Sequence, residues 1–285
     1  IYSNQKLLYD ALYHAASATL NELAKDAKYL GANIGYICIL HTWGSAMNYH
    51  PHIHTIVLGG GLDDENKWKE TGGKFFLPYG VISKVFRGKY LDELKSLWND
   101  SKLKFHGTAE KYQNSYRFKE LLDKCYEKNW VTYCKETFNG AQSVINYLGK
   151  YTHRIAISNH RIKSMTDTTV TYVVKDYKNE GCWKEKTISG EEFIRRFMMH
   201  VPPKRFVRIR HYGLLSCRNK RKKITHCRNL LGCKKYISTL KNLNAVEMIR
   251  VLYHIDVCKC SSCGGNMVSP RKDKYSSSFR AHMRC

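Results

Sequence analysis

The stretch NYHPHIHTIVLGGG, residues 48–61, places three histidines at alternate positions before an apolar run that ends in three glycines. The apolar run predicts a β-strand. Because neighbouring side chains of a strand point to opposite faces, His52 and His54 share one face and Ile53 faces the other way. Two imidazoles on one strand face make half of a divalent-metal site, although histidines also occur in strands for packing or hydrogen bonding.

The preceding segment NIGYICILHTW, residues 33–43, predicts a buried strand because it is rich in Ile and aromatic residues. This strand delivers His41 at its end. If the two strands pair as neighbours, either His41 or His50 supplies a third metal ligand.

The chain is strongly basic, with 48 Lys and Arg against 24 Asp and Glu and a net charge of +24. This charge favours a polyanion as the partner. The cations are interleaved with 20 Tyr, 10 Phe and 5 Trp, a mixture typical of grooves in which aromatic rings stack on unpaired bases. A cationic surface with its aromatic residues in the core explains most of these rings equally well.

No apolar run approaches the roughly 18 residues of a membrane helix, and no signal peptide is visible. We therefore expect a soluble, intracellular protein without membrane contact. Eleven cysteines without a secretory signal indicate thiols and metal ligands rather than disulfides. Since the chain begins at Ile1 and not at Met, we expect the natural N-terminus to lie upstream.

Hydrophobic periodicity gives the remaining elements. Helices are predicted over 2–27, 81–100, 108–127, 139–151, 189–201 and 244–255, with a basic helix or arm over 216–233. Further strands are predicted over 73–80, 130–138, 154–162, 168–177 and 204–215.

Tyr147 and Tyr151 lie four residues apart in a predicted helix, so both hydroxyls lie on one helix face. A tyrosine can attack a phosphodiester and store the bond as a phosphotyrosine, which divides strand transfer into two steps. A metal ion held by His52 and His54 would polarise the scissile phosphate. Tyrosines at this spacing also pack helix faces, so the hypothesis depends on their combination with the histidines.

Three long segments, HTWGSAMNYHPHIHTIVLGGGL, YLGKYTHRIAISNHRI and KRFVRIRHYGLL, resemble in the same order the landmark segments of two-tyrosine HUH transposases of the IS-ninety-one type. The resemblance covers about residues 1–235. It implies the α+β fold of HUH endonucleases, in which a central antiparallel sheet with flanking helices carries the His-hydrophobe-His pair beside the tyrosine helix. We expect a catalytic core over 1–160, a basic extension over 161–240, and a C-terminal helix with a small zinc-ribbon-like segment over 241–285.

Carried over position by position, the family's metal histidines fall on His52 and His54, and its paired nucleophiles fall on Tyr147 and Tyr151. The resemblance implies that such a protein cleaves single-stranded DNA at transposon ends, forms a 5′-phosphotyrosine link, releases a 3′-OH and transfers the strand as in rolling-circle replication. Mg²⁺ or Mn²⁺ is the expected ion.

A third ligand is usual in such sites, and His41 is the first candidate and His50 the second. Family members usually carry a cysteine-rich zinc-binding section ahead of the first helix, and this chain begins where that section would have ended. The expected location is the bacterial cytoplasm, in association with DNA.

The segment CKCSSCGGNM contains Cys260 and Cys263 in a CxxC motif followed by two glycines, the knuckle form in which two thiolates reach one zinc ion. His282 and Cys285 form an HxxC motif, with 18 residues between the two pairs. This spacing predicts a structural Zn²⁺ held by the four residues. Cys258 is an alternative ligand, and free thiols are the alternative to a zinc site.

Five cations near the tyrosine helix and the last predicted strand are candidate DNA contacts: Lys150, Arg154, Arg205, Arg208 and Arg210. The run RNKRKK, residues 218–223, is either a nonspecific phosphate contact or a solvated helix face.

Three alternative functions follow from the same residues. A replication initiator or relaxase would use the same chemistry. A noncatalytic zinc-containing DNA-binding protein would explain the charge but leave the histidine pair and the tyrosines without a role. A hydrolytic metalloenzyme would need a base, and no carboxylate motif lies close to the histidines in sequence.

Overall fold

The structure is a computed structural model, and it describes residues 1–71, 77–134, 141–152, 155–176, 179–218, 220–233, 240, 242–260 and 262–267. The chain forms two compact units, Ile1–Leu230 and Leu231–Cys285. The domain boundaries expected after residues 160 and 240 stay a prediction.

The first unit combines helices and strands. Its α-helices are α1 (Gln5–Lys25), α2 (Tyr79–Asn99), α3 (Ser115–Glu127), α4 (Ala141–Thr152), α5 (Gly190–Met198) and α6 (Lys220–Leu230). Its strands are β1 (Asn33–Trp43), β2 (Tyr49–Leu62), β3 (Trp68–Glu70), β4 (Ile162–Met165), β5 (Thr169–Asp176), β6 (Cys182–Ser189) and β7 (Ile209–Gly213).

Two antiparallel sheets organise this unit. The larger has the strand order β3-β2-β1-β7, and the smaller has the order β4-β5-β6. Residues 33–43 pair with the histidine strand, which is the condition under which His41 was a candidate third ligand. The α+β class with antiparallel sheets and flanking helices is likewise confirmed.

The main core lies on one face of the larger sheet. Tyr36, Cys38 and Leu40 of β1 are buried and pack against α1 and α2. Burial of a side chain such as that of Leu40 stabilises the fold by about 1.5–3 kcal/mol. Since side chains alternate along a strand, Ile39 and His41 lie on the opposite face, away from α1.

Polar side chains set the ends of two helices. Ser189 accepts the backbone N–H of Glu192 and so caps α5. In the second unit, Asn244 and Glu247 form a reciprocal capping box at the start of α7 (Ala245–Tyr253).

Some strand predictions are wrong. Residues 130–134 form no strand, because Trp130 packs against Phe86 and Tyr90 of α2 rather than in a ladder, and residues 135–138 lie outside the described part. A 3₁₀ helix occupies Asn159–Arg161, so the strand predicted over 154–162 begins only at Ile162. Half of the predicted strand over 73–80 falls on residues 73–76, which are not described, and α2 begins at Tyr79.

Two strands have no sequence prediction. The strand β6 reads CWKEKTIS and is mostly exposed, so it lacks the apolar alternation that marks a half-buried strand. The strand β3 has only three residues, too few to show a period.

Candidate active site

Three histidines converge on the face of the larger sheet opposite α1. The antiparallel register pairs His41 with His52 and Ile39 with His54. One ring nitrogen from each of the three histidines lies within 4.8 Å of the others. His41 is buried and the other two are half-buried. This is the one cluster of three or more metal-ligating side chains among the residues that the structure describes.

His50, the second candidate for the third ligand, contributes its backbone instead of its ring. The Nδ1 of His52 lies 2.7 Å from the His50 carbonyl oxygen. A carbonyl oxygen can only accept, so Nδ1 carries the proton and the Nε2 of neutral His52 keeps its lone pair. A backbone carbonyl that fixes a histidine in this way is the usual outer-shell partner of a metal ligand.

The Nε2 atoms of His52 and His54 lie 3.0 Å apart. Two nitrogens that bind one ion at about 2.1 Å and at a right angle lie about 3.0 Å apart, whereas a tetrahedral angle separates them by about 3.4 Å. The two nitrogens are therefore close enough to bind one ion together.

Helix α4 brings Tyr147 to the same histidines. Its hydroxyl lies 2.8 Å from the Nδ1 of His54, although the two residues are 93 positions apart in the chain. Because His52 Nε2 has a lone pair, the Nε2–H of neutral His54 donates to it when no ion is bound. The Nδ1 of His54 then accepts the Tyr147 hydroxyl proton.

Burial keeps both histidines neutral. Burial, together with a smaller contribution from the positive charge of protonated His52, lowers the pKa of His54 to about 4. The pKa of His52 is also lowered, chiefly by burial, although its hydrogen bond to the His50 carbonyl opposes the shift. A metal ion requires neutral imidazoles, so the environment favours the ligand form.

An aromatic residue that the sequence reasoning missed supports the third histidine. The Trp43 ring stacks on His41 with their centroids 4.7 Å apart and an interplanar angle of 19°. The Arg208 guanidinium lies over the same indole, 5.8 Å from its centroid. Residues two apart in a strand share a face, so the sequence HTW already indicated that Trp43 lies beside His41.

The candidate DNA contacts have different surroundings. Arg205 is exposed. Arg210 forms an ion pair with Asp10, at 2.5 Å, and its guanidinium lies 4.0 Å from the centroid of the Tyr13 ring in the main core. This places Arg210 on the α1 side of the sheet, away from the histidines.

Other predicted residues are described in part or not at all. The backbones of Tyr151 and Lys150 lie in α4, but their side chains are outside the described part, as is Arg154.

The cysteine motif of the second unit forms a tight turn. The Gly264 N–H donates to the Cys260 carbonyl at 2.9 Å, and the Met267 N–H donates to the Cys258 carbonyl at 2.7 Å. Backbone N–H groups of Cys263 and Ser262 lower the pKa of Cys260, which favours the thiolate that binds metal. The other two predicted zinc ligands, His282 and Cys285, lie outside the described residues.

A family model described as "Putative transposase" matches residues 35–223. The chain belongs to this transposase family. The predicted resemblance to transposases of the IS-ninety-one type is confirmed. The matched range includes the three clustered histidines and both tyrosines of the YLGKY segment, and it ends before the cysteine motif.

Two curated relatives are similar to this transposase family member over most of its length. "Putative transposase y4qJ" of Sinorhizobium fredii (strain NBRC 101917 / NGR234) is 40% identical over 232 residues, which cover 81% of this chain and 58% of the relative. "Transposase for insertion sequence element IS801" of Pseudomonas savastanoi pv. phaseolicola is 27% identical over 271 residues, which cover 94% of this chain and 63% of the relative. The chain thus spans less than two thirds of either relative.

No solved structure matches the chain. Among the described residues, no helix combines the length and the apolar character that crossing a membrane requires.

Proposed function

We propose that this transposase cuts and rejoins single-stranded DNA at transposon ends through a 5′-phosphotyrosine intermediate, with metal assistance, in rolling-circle-like transposition. Tyr147 is the proposed nucleophile, and the proposed metal ligands are His41, His52 and His54. The observation that carries the proposal is the 2.8 Å contact between the Tyr147 hydroxyl and a histidine whose other nitrogen faces the cluster. A nucleophile within hydrogen-bonding distance of a side chain that can orient it is a usual signature of covalent catalysis.

The donor set suits an octahedral ion that keeps open positions. Three histidine nitrogens would hold such an ion and would leave positions open for phosphate oxygens and water. A bound Mg²⁺ or Mn²⁺ would polarise the scissile phosphate and orient it for in-line attack. Histidine nitrogens favour Mn²⁺ over Mg²⁺, since Mg²⁺ prefers oxygen ligands.

His54 links the ligand set to the nucleophile. When His54 offers its Nε2 lone pair as a ligand, its remaining proton lies on Nδ1, and the hydrogen bond to Tyr147 reverses. The Nδ1–H then donates to the phenol oxygen, which orients that oxygen and stabilises negative charge on it. The Tyr147 proton leaves to a phosphate oxygen or to water.

The chemistry is balanced without an energy source. The Tyr147 oxygen forms a bond to phosphorus as the bond from phosphorus to the 3′-oxygen breaks, and the released strand takes up a proton as a 3′-OH. Attack by a 3′-OH on the phosphotyrosine reverses these changes and restores the phenol. Each step exchanges one phosphoester for another.

Tyr151 is proposed to act in the same way on a second DNA end. Its position one helical turn beyond Tyr147 supports this proposal. Two tyrosines on one helix face would let the protein hold two cut ends, or alternate between donor and target strands.

The arrangement of the elements supports an HUH endonuclease core. The His-Ile-His segment lies on β2, within an antiparallel sheet, and α4 presents a tyrosine to it. That combination is the one implied by the resemblance of the sequence.

Positive charge supports DNA as the substrate. Helix α6 contains a run of four cations, residues 220–223, and all four are exposed. Of the predicted contacts, Arg205 and Arg208 keep this proposed role, together with the two cations near the tyrosines, Lys150 and Arg154. Arg210 would have to exchange its ion pair with Asp10 for a phosphate.

We also propose a structural Zn²⁺ in the second unit. The knuckle turn and the lowered pKa of Cys260 support Cys260 and Cys263 as two ligands. His282 and Cys285 are the proposed other pair, with Cys258 as an alternative.

Covalent capture of DNA tests the proposed function. Labelled oligonucleotides that cover transposon ends would be incubated with the protein and Mg²⁺ or Mn²⁺, as single strands and as duplexes. We expect a denaturant-resistant adduct with single strands that a chelator abolishes. Tight binding without an adduct, with either ion and every end, would instead support a noncatalytic DNA-binding protein.

A further inference from the structure

A fourth histidine lies beside the hairpin formed by β1 and β2 but outside the metal-ligating cluster. His200 follows α5 and is 2% exposed. Its Nε2 lies 3.1 Å from the Met47 carbonyl oxygen, and its Nδ1 lies 3.2 Å from the Thr42 hydroxyl. The carbonyl can only accept, so Nε2–H donates to it, and Nδ1 of the neutral ring accepts the hydroxyl proton of Thr42.

The His200 ring also contacts both arms of the hairpin. It lies nearly parallel to Tyr49 of β2, with centroids 6.3 Å apart, and edge-on to Trp43 of β1 at 6.1 Å. Trp43 in turn stacks on His41. One buried side chain therefore contacts the strand residues that follow His41 and a strand residue that precedes His52.

The strand ladder is irregular at this place. His41 pairs with His52, but the next pair is Trp43 with Tyr49, so β2 has one residue more than β1 between the two pairs. Pro51 is one of the residues in this bulge, and proline has no N–H to donate to a ladder. Ladder hydrogen bonds alone thus hold the two arms weakly just beyond the histidine pair.

Side chains from the segment 161–200 compensate by holding the bend between β1 and β2. The Ser45 carbonyl accepts from Arg161 at 2.5 Å, and the Ala46 carbonyl accepts from Arg196 at 3.1 Å. His200 takes the next carbonyl, that of Met47. Of these three side chains, His200 also forms a hydrogen bond with Thr42 of β1, which directly follows His41.

We propose that His200 is a positioning residue for the metal centre: it fixes the two hairpin arms so that His41 lies opposite His52. This inference rests on the proposed function, because it assumes that the three histidines bind an ion. His200 acts through Thr42, Trp43 and the Met47 carbonyl, and its own side chain contacts neither the ion nor the DNA.

A pair of substitutions at Thr42 tests the proposal without removing the ring. Thr42→Val keeps the shape of the side chain and removes the hydroxyl that His200 binds, whereas Thr42→Ser keeps the hydroxyl. We expect Thr42→Val to weaken Mn²⁺ binding about 10-fold, the lower end of the range for outer-shell partners, and Thr42→Ser to bind nearly as the natural protein does. The Mn²⁺ EPR spectrum should broaden in Thr42→Val, because the ligand geometry becomes less uniform.

Thr19→Val is the matched control for lost stability. Thr19 is 1% exposed and its hydroxyl also makes a buried hydrogen bond, to the Ala15 carbonyl, but it lies on α1, which packs on the other sheet face. Unchanged Mn²⁺ affinity in folded Thr42→Val, or equal losses in Thr42→Val and Thr19→Val, would overturn the proposal. His200→Leu should give at least the loss seen for Thr42→Val, and affinity near the natural value in that variant would also overturn it.

The two proposals fail in distinguishable ways. A natural protein that forms the DNA adduct while Thr42→Val keeps full Mn²⁺ affinity would refute only the role of His200. A natural protein that binds no Mn²⁺ would refute the metal centre and, with it, the positioning role.

Discussion

The histidine hairpin and the cysteine turn both begin as two ligands separated by a short spacer. In the hairpin, strand pairing adds His41 to the sequence-local pair, and three nitrogens converge within 4.8 Å. In the cysteine turn, local hydrogen bonds shape two thiols, and 18 residues separate them from the proposed partners. A spacer thus predicts half of a site, and the tertiary fold decides whether the rest is present.

The histidine hairpin and the cysteine turn favour the metal-binding protonation state of their ligands in different ways. Burial lowers the pKa of His54, which keeps the imidazole neutral. Backbone N–H groups lower the pKa of Cys260, which favours its thiolate. An open set of three ligands suits catalysis, whereas a closed set of four suits structure. The comparison predicts that loss of each metal has a different consequence.

The largest expected effect is on metal binding at the hairpin. Loss of an outer-shell partner costs about 10- to 100-fold in affinity, so His52→Ala, which removes a ligand, should weaken Mn²⁺ binding at least about 100-fold. His50→Ala is the control, because it keeps the backbone carbonyl that His52 contacts and the His50 ring lies outside the three-histidine cluster. Calorimetric titration with Mn²⁺ would measure both variants. Equal losses in the two would contradict the proposed ligand set.

At the cysteine turn, Cys260→Ser should remove the bound zinc, which we expect at about one equivalent in the natural protein. Hairpin Mn²⁺ binding should persist. Cys182→Ser, which changes an exposed cysteine of β6, provides the control. Elemental analysis of the purified variants would measure the zinc content. Retention of zinc in Cys260→Ser would contradict the proposal that Cys260 is a zinc ligand.

Much of the hairpin could be predicted from sequence, because both strands have strong local signals. The predicted strand 33–43 coincides with β1, and the His-Ile-His alternation predicts a shared face. The preference for His41 over His50 needed the register, and the link between His54 and Tyr147 needed contact across 93 residues. No local pattern contains such information.

One edge strand of the smaller sheet was also hard to predict. Strand β6 is mostly exposed and polar, so its sequence lacks the alternation of apolar and polar residues that marks a half-buried strand. His200 reads as an ordinary residue at a helix end, and only the packed bend of the hairpin gives it a role.

A smaller effect concerns the stability of the metal-free protein. The pKa of His54 is about 4 in the folded chain and about 6.5 in the unfolded chain, so the unfolded state binds more protons between these values. The contribution of neutral His54 to the free energy of unfolding should therefore be complete above about pH 6.5. It should fall as the pH is lowered towards 4. Thermal melts of the chelator-treated protein would show this slope.

His54→Gln is the comparison for that pH profile. This variant should show a shallower fall in melting temperature over the same range, since its side chain does not titrate. An identical profile would mean that His54 contributes nothing to the pH dependence of stability.

The smallest expected effect is at the helix that brings the nucleophile to the hairpin. Gly149 lies in α4 between the two tyrosines, and a Cβ there would meet no atom within 4 Å. Gly149→Ala should stabilise α4 by about 1 kcal/mol. Lower DNA cleavage by the more stable variant would indicate that α4 must flex or that DNA approaches closely, and unchanged cleavage would remove that interpretation.

The most direct test of the central claim is to identify the residue that carries DNA. The adduct formed by Tyr151→Phe with single-stranded transposon ends and Mn²⁺ would be digested with nuclease and mapped by mass spectrometry. We expect the remaining nucleotide on Tyr147, and no adduct in the variant that also carries Tyr147→Phe. A nucleotide on any other residue, or an adduct that survives the loss of both tyrosines, would contradict the account.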